Sequence, residues 1–337
     1  MIEDHQEIGP LVETGDADLV WAQIDGHKRA LGLRVRRGHI AVRGGLAFPV
    51  VRGMTSTSNL EEHRPSKCVE ALAAPLRESG EINSAVFIPG QRNYYHFTAF
   101  NLPALVLLSP LFSLLGQVTE PGTVMMSRGM PDRARPLMQR LLPRFGGRPE
   151  VSIVDLPEGD YIANDVIFRI KPSPSLIIRA AAAVGNVVLR EAGIEDPIGE
   201  RGPLKLFVQR ADAVNGRNLA NQAEIQSWLE ARGYVAVNPG DFSMEDQIIM
   251  FARATHVVAV EGAAIANLLF ASNARKVLVL ANANLAGESF IALFAKMARF
   301  TVDTLFGSAI PSELAWRNTN FAVPLDSLAE ACARLDM

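Results

Sequence analysis

A chain of 337 residues with 48% hydrophobic and 20% charged residues is an ordered globular protein, long enough for two domains of ordinary size. Its formal net charge of −3 gives none of the global basic field that nucleic-acid binding exploits, and no nucleic-acid partner is expected. The two cysteines, Cys68 and Cys332, are spaced neither as a disulfide framework nor as metal ligands, and the polar, acidic start is not a secretory signal, so a cytoplasmic setting is expected.

In chain order, residues 1–20 read as poorly structured. Two β-like runs, LGLRVRR and HIAVR, fall within 28–52 and alternate apolar with basic residues. Their cluster Lys28, Arg29, Arg34, Arg36 and Arg37 allows peripheral contact with anionic lipid or an acidic glycan, but the solvated face of a strand is the plainer reading. Residues 54–66 form a polar loop. SAVFIPG (84–90) is a strand and turn, and Tyr94 to Leu115 is mostly helical. Within it LPALVLLSPLFSLL (102–115) is too short to span a bilayer and is expected to be a buried helix broken near Pro110. TVMMS (123–127) is a strand, and Pro131 opens a helix to Phe145 as its first residue. EVSIVD (150–155) and DVIFRI (165–170) are strands expected to pair. Lys171-Pro172-Ser173-Pro174 reads as a hinge and 175–193 as a helix into a second domain. Asp16-Ala17-Asp18 has the spelling of a metal-binding aspartate pair but lacks a strand to place it, so no metal site is expected.

Residues 203–281 alternate short β-rich runs with helical stretches, which is the pattern of a parallel α/β domain that binds ligands at the carboxyl edge of its sheet. Strand LKLFVQ (204–209) ends at Arg210, and a loop with Asn215, Gly216, Arg217 and Asn218 follows. A helix from Asn221 to Arg232 stops at Gly233. Strand YVAVN (234–238), the turn Pro239-Gly240-Asp241 and a helix capped by Ser243 with Asp246 three residues on come next. Strand HVVAV (256–260) then delivers Glu261-Gly262-Ala263-Ala264 and a helix through Asn267 to Phe270, and KVLVL (276–280) closes the series. PLDSLAEACARLD (324–336) is a final amphipathic helix that is free to return to the first domain.

The strand–EGAA–helix junction is open enough, at Gly262 and Ala263, for a phosphate to approach a helix N-terminus, although small residues also serve plain packing there. Arg210 and Arg217 suit bidentate contact with a diphosphate, against the simpler reading of a surface salt bridge. Asn218 and Asn267 are either ligand contacts or caps, and Gln247 either touches ligand or holds the neighbouring loop. Glu261 would face ribose or acceptor hydroxyls, or act as a base, or pair with Arg210 or Arg217.

Arg210, Arg217-Asn218, Glu224, Gly233-Tyr234, Phe242-Ser243 with Gln247, Gly262-Ala263 and Asn267-Leu268-Leu269-Phe270 together resemble the core of glycosyltransferase family 61, the capsular polysaccharide type. NYYHFTAFNLPAL (93–105) resembles the family's aromatic and histidine segment. The chain departs from the family pattern at Phe100, where an acidic residue is common, at Ala104, where arginine is common, and at Glu261, where histidine is usual.

The resemblance implies two Rossmann-like α/β domains flanking a cleft, the GT-B arrangement, with 1–172 on the acceptor side and 173–337 on the donor side. It implies a nucleotide-sugar donor bound by Arg210, Arg217, Asn218, Gln247, Gly262, Ala263 and Asn267, and a glycan or lipid-linked acceptor near Asn93 and Tyr94. His96 and Glu261 are the catalytic candidates: inverting transfer needs a base for the acceptor hydroxyl, though a histidine among aromatics is as readily structural. No cofactor or metal is expected, and the oligomeric state is left open. A nucleotide-sugar-binding or scaffold protein of the same fold, without catalysis, stays open on the three departures. A sugar-nucleotide epimerase is weaker, because no glycine-rich dinucleotide fingerprint follows the first strand.

Overall fold

The structure, a computed structural model, describes residues 17–24, 27–43, 46–50, 78–88, 93–115, 122–126, 130–169, 174–210, 216–286, 300–311 and 318–337. Asp16, Cys68, the loop 54–66, Lys171–Ser173 and Asn215 lie outside these residues. The chain is α/β and forms two compact units. One comprises Met1–Asn93 with Phe100–Ser173, the other Tyr94–Ala99 with Pro174–Met337.

The first unit is built on an eight-stranded mixed sheet. Its strands are β1 (Ala17–Ile24), β2 (His27–Arg43), β3 (Leu46–Val50), β4 (Glu78–Ile82), β5 (Ala85–Phe87), β6 (Gly122–Met126), β7 (Val151–Asp155) and β8 (Gly159–Arg169). They run in the order β1-β2-β8-β5-β6-β7, with β3 on β2 and β4 on β8. The two basic runs expected as separate strands are one, β2, which pairs with β8 along most of its length. β8 pairs with β2, β4 and β5, whereas β7 pairs with β6. The expected pairing of 150–155 with 165–170 therefore does not occur. Val166, Ile167 and Phe168 are all buried, as a strand covered on both faces requires, and that places β8 in mid-sheet. Leu33, Val35, Ile40, Phe87 and Phe168 form one core, with the Phe87 and Phe168 rings 4.9 Å apart. Arg34, from the basic cluster, makes two 2.6 Å bonds to Asp165 across the β2–β8 pair, which is the strand-face reading of that cluster.

Helices Leu108–Leu114 and Arg135–Gly146 pack together in this unit. Pro110 lies in the first turn of its helix, where a missing N–H costs nothing, so the expected break there is absent. The irregularity comes earlier: the chain runs as an α turn at Tyr94–His96, a π turn at Phe97–Asn101 and a 3-10 segment at Pro103–Leu107. The whole segment Tyr94–Leu114 is 21 residues, long and apolar enough by length and composition to cross a membrane, and 72% of its apolar window is buried inside the protein. Pro131 precedes a 3-10 turn, Asp132–Ala134, instead of opening the α-helix, which starts at Arg135 with Pro136 in its first two positions.

The second unit carries a six-stranded sheet of β9 (Leu204–Val208), β10 (Tyr234–Val237), β11 (Ala254–Val260), β12 (Lys276–Asn282), β13 (Thr301–Ala309) and β14 (Phe321–Ala322). The order is β10-β9-β11-β12-β13-β14, parallel throughout except for β14. β12 does not close the series, because β13 and β14 extend the sheet beyond it. Alternate residues point to opposite faces. Phe207, Val258, Val260, Leu278 and Leu280 form one core with Ile225 and Leu229 of helix Gln222–Glu230 and Leu328, Ala331, Cys332 and Leu335 of helix Leu325–Leu335. Each valine, leucine, isoleucine or phenylalanine side chain among them, fully buried, contributes about 1.5–3 kcal/mol. The final helix therefore stays on its own sheet, and Arg334 adds an ion pair to Asp303 on β13. Helices Pro174–Glu191 and Met244–Ala252 and the segment Ala263–Phe270 pack on one another as a second helical group. Local signals are kept as the sequence implies: Ser243 Oγ accepts the Asp246 amide at 3.1 Å, and Gly233 ends its helix region at φ 81°.

Candidate active site

The direction of winding reverses at β9. The chain leaves β9 for β10 on one side, while β11 lies against its other side and leads on to β12. Such a switch point leaves a crevice at the carboxyl ends of the two strands, where open α/β sheets bind ligands. Arg210 stands two residues past the end of β9, and Glu261 directly follows β11.

Four of the sequence-derived residues meet at this edge. Arg217 Nη1 lies 3.0 and 3.2 Å from the two carboxylate oxygens of Glu261, whose side chain is 6% exposed. Arg217 takes a left-handed backbone, φ 62°, directly after Gly216 at φ 74°. Such a conformation disfavours a residue with a Cβ, and the surroundings hold it in place. Its amide donates to the Asn318 carbonyl at 3.0 Å, and the Asn218 amide donates to Asn320 Oδ1 at 2.9 Å. Arg217 Nε is buried without a hydrogen-bond partner among the described residues. Arg210 Nε donates to the Gly216 carbonyl at 3.2 Å. A Cβ at Gly262 would run into Nη1 of Arg210, so the glycine is what lets the guanidinium lie on the backbone after β11. Burial first, and Arg217 second, push the Arg210 guanidinium below its ordinary value, with Glu261 opposing. The arrangement concentrates positive charge and one unsatisfied donor at a carboxyl edge, which is what an anionic ligand needs.

Gln247 and Asn267 have a different setting. Both are buried, and their side chains meet a tyrosine from far upstream. The Tyr94 hydroxyl faces Gln247 Oε1 at 2.7 Å and Asn267 Oδ1 at 2.8 Å, so its one proton is shared between two acceptors. Asn267 Nδ2 donates to Gln247 Oε1 at 2.8 Å, and Gln247 Nε2 donates to the Phe242 carbonyl at 3.2 Å. Among the alternatives for Gln247, holding the neighbouring loop is what the geometry displays. The turn Tyr94–His96 thereby packs on Ala263–Phe270, which explains why it clusters with the second unit and not with the first, where the sequence placed it. His96 rides on this turn, half-buried, edge-on to Tyr95 at 5.4 Å between ring centroids. Asn93 is exposed and belongs to the first unit.

Ala263 opens a 3-10 segment and not the α-helix expected there. Phe100 and Ala104 are buried apolar residues of the first unit. Sequence reasoning missed a third group: buried Asn282, at the end of β12, donates to the Thr319 carbonyl at 2.7 Å and to its Oγ1 at 2.6 Å, and Asn284 Nδ2 reaches the same Oγ1 at 3.2 Å. Two asparagines, Asn282 and Asn284, at the end of a buried strand were the available signal. Among the described residues no group of three or more His, Cys, Asp or Glu is placed to hold a metal ion.

The fold and this edge define a wound α/β protein with two arginines and a glutamate gathered at the switch point of its second sheet. The family model Glycosyltransferase 61 matches residues 94–278, more than half of the chain. The chain belongs to glycosyltransferase family 61. The match begins at Tyr94 and spans the whole Tyr94–Gln247–Asn267 network together with the crevice. Among solved structures the chain is similar to TibC, described as a bacterial iron-containing dodecameric glycosyltransferase from enterotoxigenic E. coli H10407, at 11% identity and a TM-score of 0.30, over 79% of this chain and 78% of that one. No curated protein matches the chain.

Proposed function

We propose that the crevice holds the diphosphate of a nucleotide-activated sugar, and that the enzyme moves the sugar to a hydroxyl of a glycan or lipid-linked acceptor in surface polysaccharide synthesis. The observation that carries this reading is the Arg210–Arg217–Glu261–Gly262 cluster at the switch point. Two guanidiniums fit a diphosphate in charge and in fork geometry. The carboxylate fixes Arg217 instead of meeting the phosphates, which it would repel. His96 is the base. It takes the acceptor proton while the acceptor oxygen bonds to the anomeric carbon; the bond from that carbon to the phosphate oxygen breaks, and its electron pair leaves on the diphosphate. A single displacement inverts the anomeric centre. The charge that develops on the leaving group falls to Arg210 and Arg217, so the step runs without a metal. A GT-B arrangement with the acceptor on the first unit, and a cytoplasmic enzyme that touches the inner membrane peripherally, complete the proposal.

Calorimetric titration with nucleoside diphosphates tests it. Arg210→Ala is expected to weaken binding by about 1.5–3 kcal/mol, the scale of a hydrogen bond to a charged group. An unchanged affinity removes Arg210 from the site. Transfer should survive EDTA, and a loss restored by a divalent cation would overturn the metal-free step. The second reading, a nucleotide-sugar-binding protein without catalysis, rests on buried Phe100 and Ala104, where the family pattern carries charge. Donor binding with no transfer to any acceptor would favour it.

A further inference from the structure

We propose that Phe242 is the platform on which the base of the nucleotide donor stacks. This rests on the nucleotide-sugar reading of the crevice and adds the element that recognises the nucleoside.

Phe242 lies just past the carboxyl end of β10, between the 3-10 turn Pro239–Asp241 and helix Met244–Ala252. The residue is 37% exposed, so part of it is open to a ligand. The backbone that carries it is pinned on both sides. Its amide donates to the Pro239 carbonyl at 3.2 Å, and its carbonyl accepts from Gln247 Nε2 at 3.2 Å. Through Gln247 the platform is tied to Asn267, on the segment that follows Gly262. An exposed aromatic on a fixed turn is pre-organised for stacking, since it has little freedom left to lose.

Its place along the sheet edge fits the length of a nucleotide. β10 adjoins β9, and the Gln209 amide donates to the Val237 carbonyl at 2.8 Å, so the two strands end side by side. The crevice centre, between β9 and β11, lies about one and a half strand spacings from β10, or ~7 Å. A ribose bridges that distance between a diphosphate and a base. The opposite flank is filled: Thr319 is bonded to Asn282 at the end of β12, and Leu219 bridges to Phe321 beside it. Phe306, 40% exposed on β13, lies beyond that flank and serves as the control.

The test titrates UDP, GDP, ADP, CDP and inorganic pyrophosphate into the full chain and its variants. The wild type should bind at least one nucleoside diphosphate more tightly than pyrophosphate. Phe242→Ala should lose about 5- to 150-fold of that nucleotide affinity, the range for one base on one aromatic, and none of the pyrophosphate affinity. Phe242→Trp should keep nucleotide binding and show fluorescence quenching on nucleotide addition; Phe306→Ala should match the wild type. Nucleotide affinity unchanged in Phe242→Ala, or lost in Phe306→Ala instead, overturns the platform. Should Phe242→Ala lower the melting temperature, Phe242→Leu keeps apolar bulk without a π-face; the same selective loss is expected, and unchanged affinity again overturns the proposal. A wild type that binds pyrophosphate as well as any nucleotide overturns the platform alone. A wild type that binds neither overturns the crevice reading, and the platform falls with it.

Discussion

Two polar clusters stand a few residues apart in the second unit, and they are built on opposite terms. Around Gln247 the buried amides and the Tyr94 hydroxyl use one another's donors and acceptors. Around Glu261 the ion pair is partly open, two guanidiniums gather, and Arg217 Nε is buried without a described partner. A closed network fastens chain segments; an incomplete one gains when a ligand supplies the missing acceptor. The difference teaches that burial and polarity alone do not separate a fastening network from a candidate site, and that open donors beside gathered charge are the reason to look for a ligand at the second cluster. Gln247 and Asn267 read in sequence as either ligand contacts or structural residues, and their side chains fasten the turn that carries His96.

The largest effect should come where fastening and chemistry meet. If the closed network exists to present His96, then His96→Asn should cut turnover about 100- to 10,000-fold, the usual cost of losing a general base, and leave donor affinity almost intact. Normal turnover with a cognate acceptor would make His96 a packing residue and leave Glu261 as the better candidate.

Next comes the closed cluster itself. Gln247→Leu leaves the Tyr94 hydroxyl its bond to Asn267 Oδ1 but removes the partner of the Asn267 amide and of the Phe242 carbonyl, and each buried orphan costs about 1–3 kcal/mol. Stability in denaturant melts should fall by an amount of that order, while pyrophosphate affinity of the folded protein stays near wild type. A large affinity loss with unchanged stability would move Gln247 into the binding site and erase the contrast drawn above.

Gly262→Ala probes the open cluster in the reverse sense. The new Cβ meets the end of a flexible arginine, so the fold should tolerate it while the Arg210 guanidinium moves off the backbone. Donor affinity should fall by about tenfold, one charged hydrogen bond's worth, with a melting temperature close to wild type. An unaltered affinity would show that Arg210 need not lie on Gly262 to act.

The sequence carried the elements of 204–280 because their signals are local: alternation, a capping serine, a glycine stop. It carried the residues of the crevice for the same reason, since strand ends are visible. Pairing was not visible. Nothing near Val166 tells β8 to join β2 in place of β7, and nothing near Tyr94 announces partners 153 and 173 residues away. β13 was missed because its exposed and half-buried residues, Thr301 to Leu305, lack the apolar run that identifies β12. The final helix showed its apolar stripe but not which sheet the stripe would cover.

The smallest effect belongs to the far end of β11, whose carboxyl end carries Glu261. His256 pairs in register with Lys205 and Lys276, and its Nδ1 lies 3.1 Å from Thr255 Oγ1. Burial first, then Lys205, Arg275 and Lys276, hold it below its ordinary 6.5, with Asp336 opposing. A histidine with a depressed folded value is neutral in the native state while the unfolded chain takes up protons. Its contribution is therefore complete above 6.5 and is lost as the pH falls through the folded value. His256→Gln should lessen the drop in melting temperature between about pH 7.5 and pH 5.5. Because the amino edge of the sheet holds no part of the crevice, the variant should bind nucleoside diphosphates as the wild type does. A shift in affinity without a shift in acid stability would mean that the two edges of the sheet are coupled.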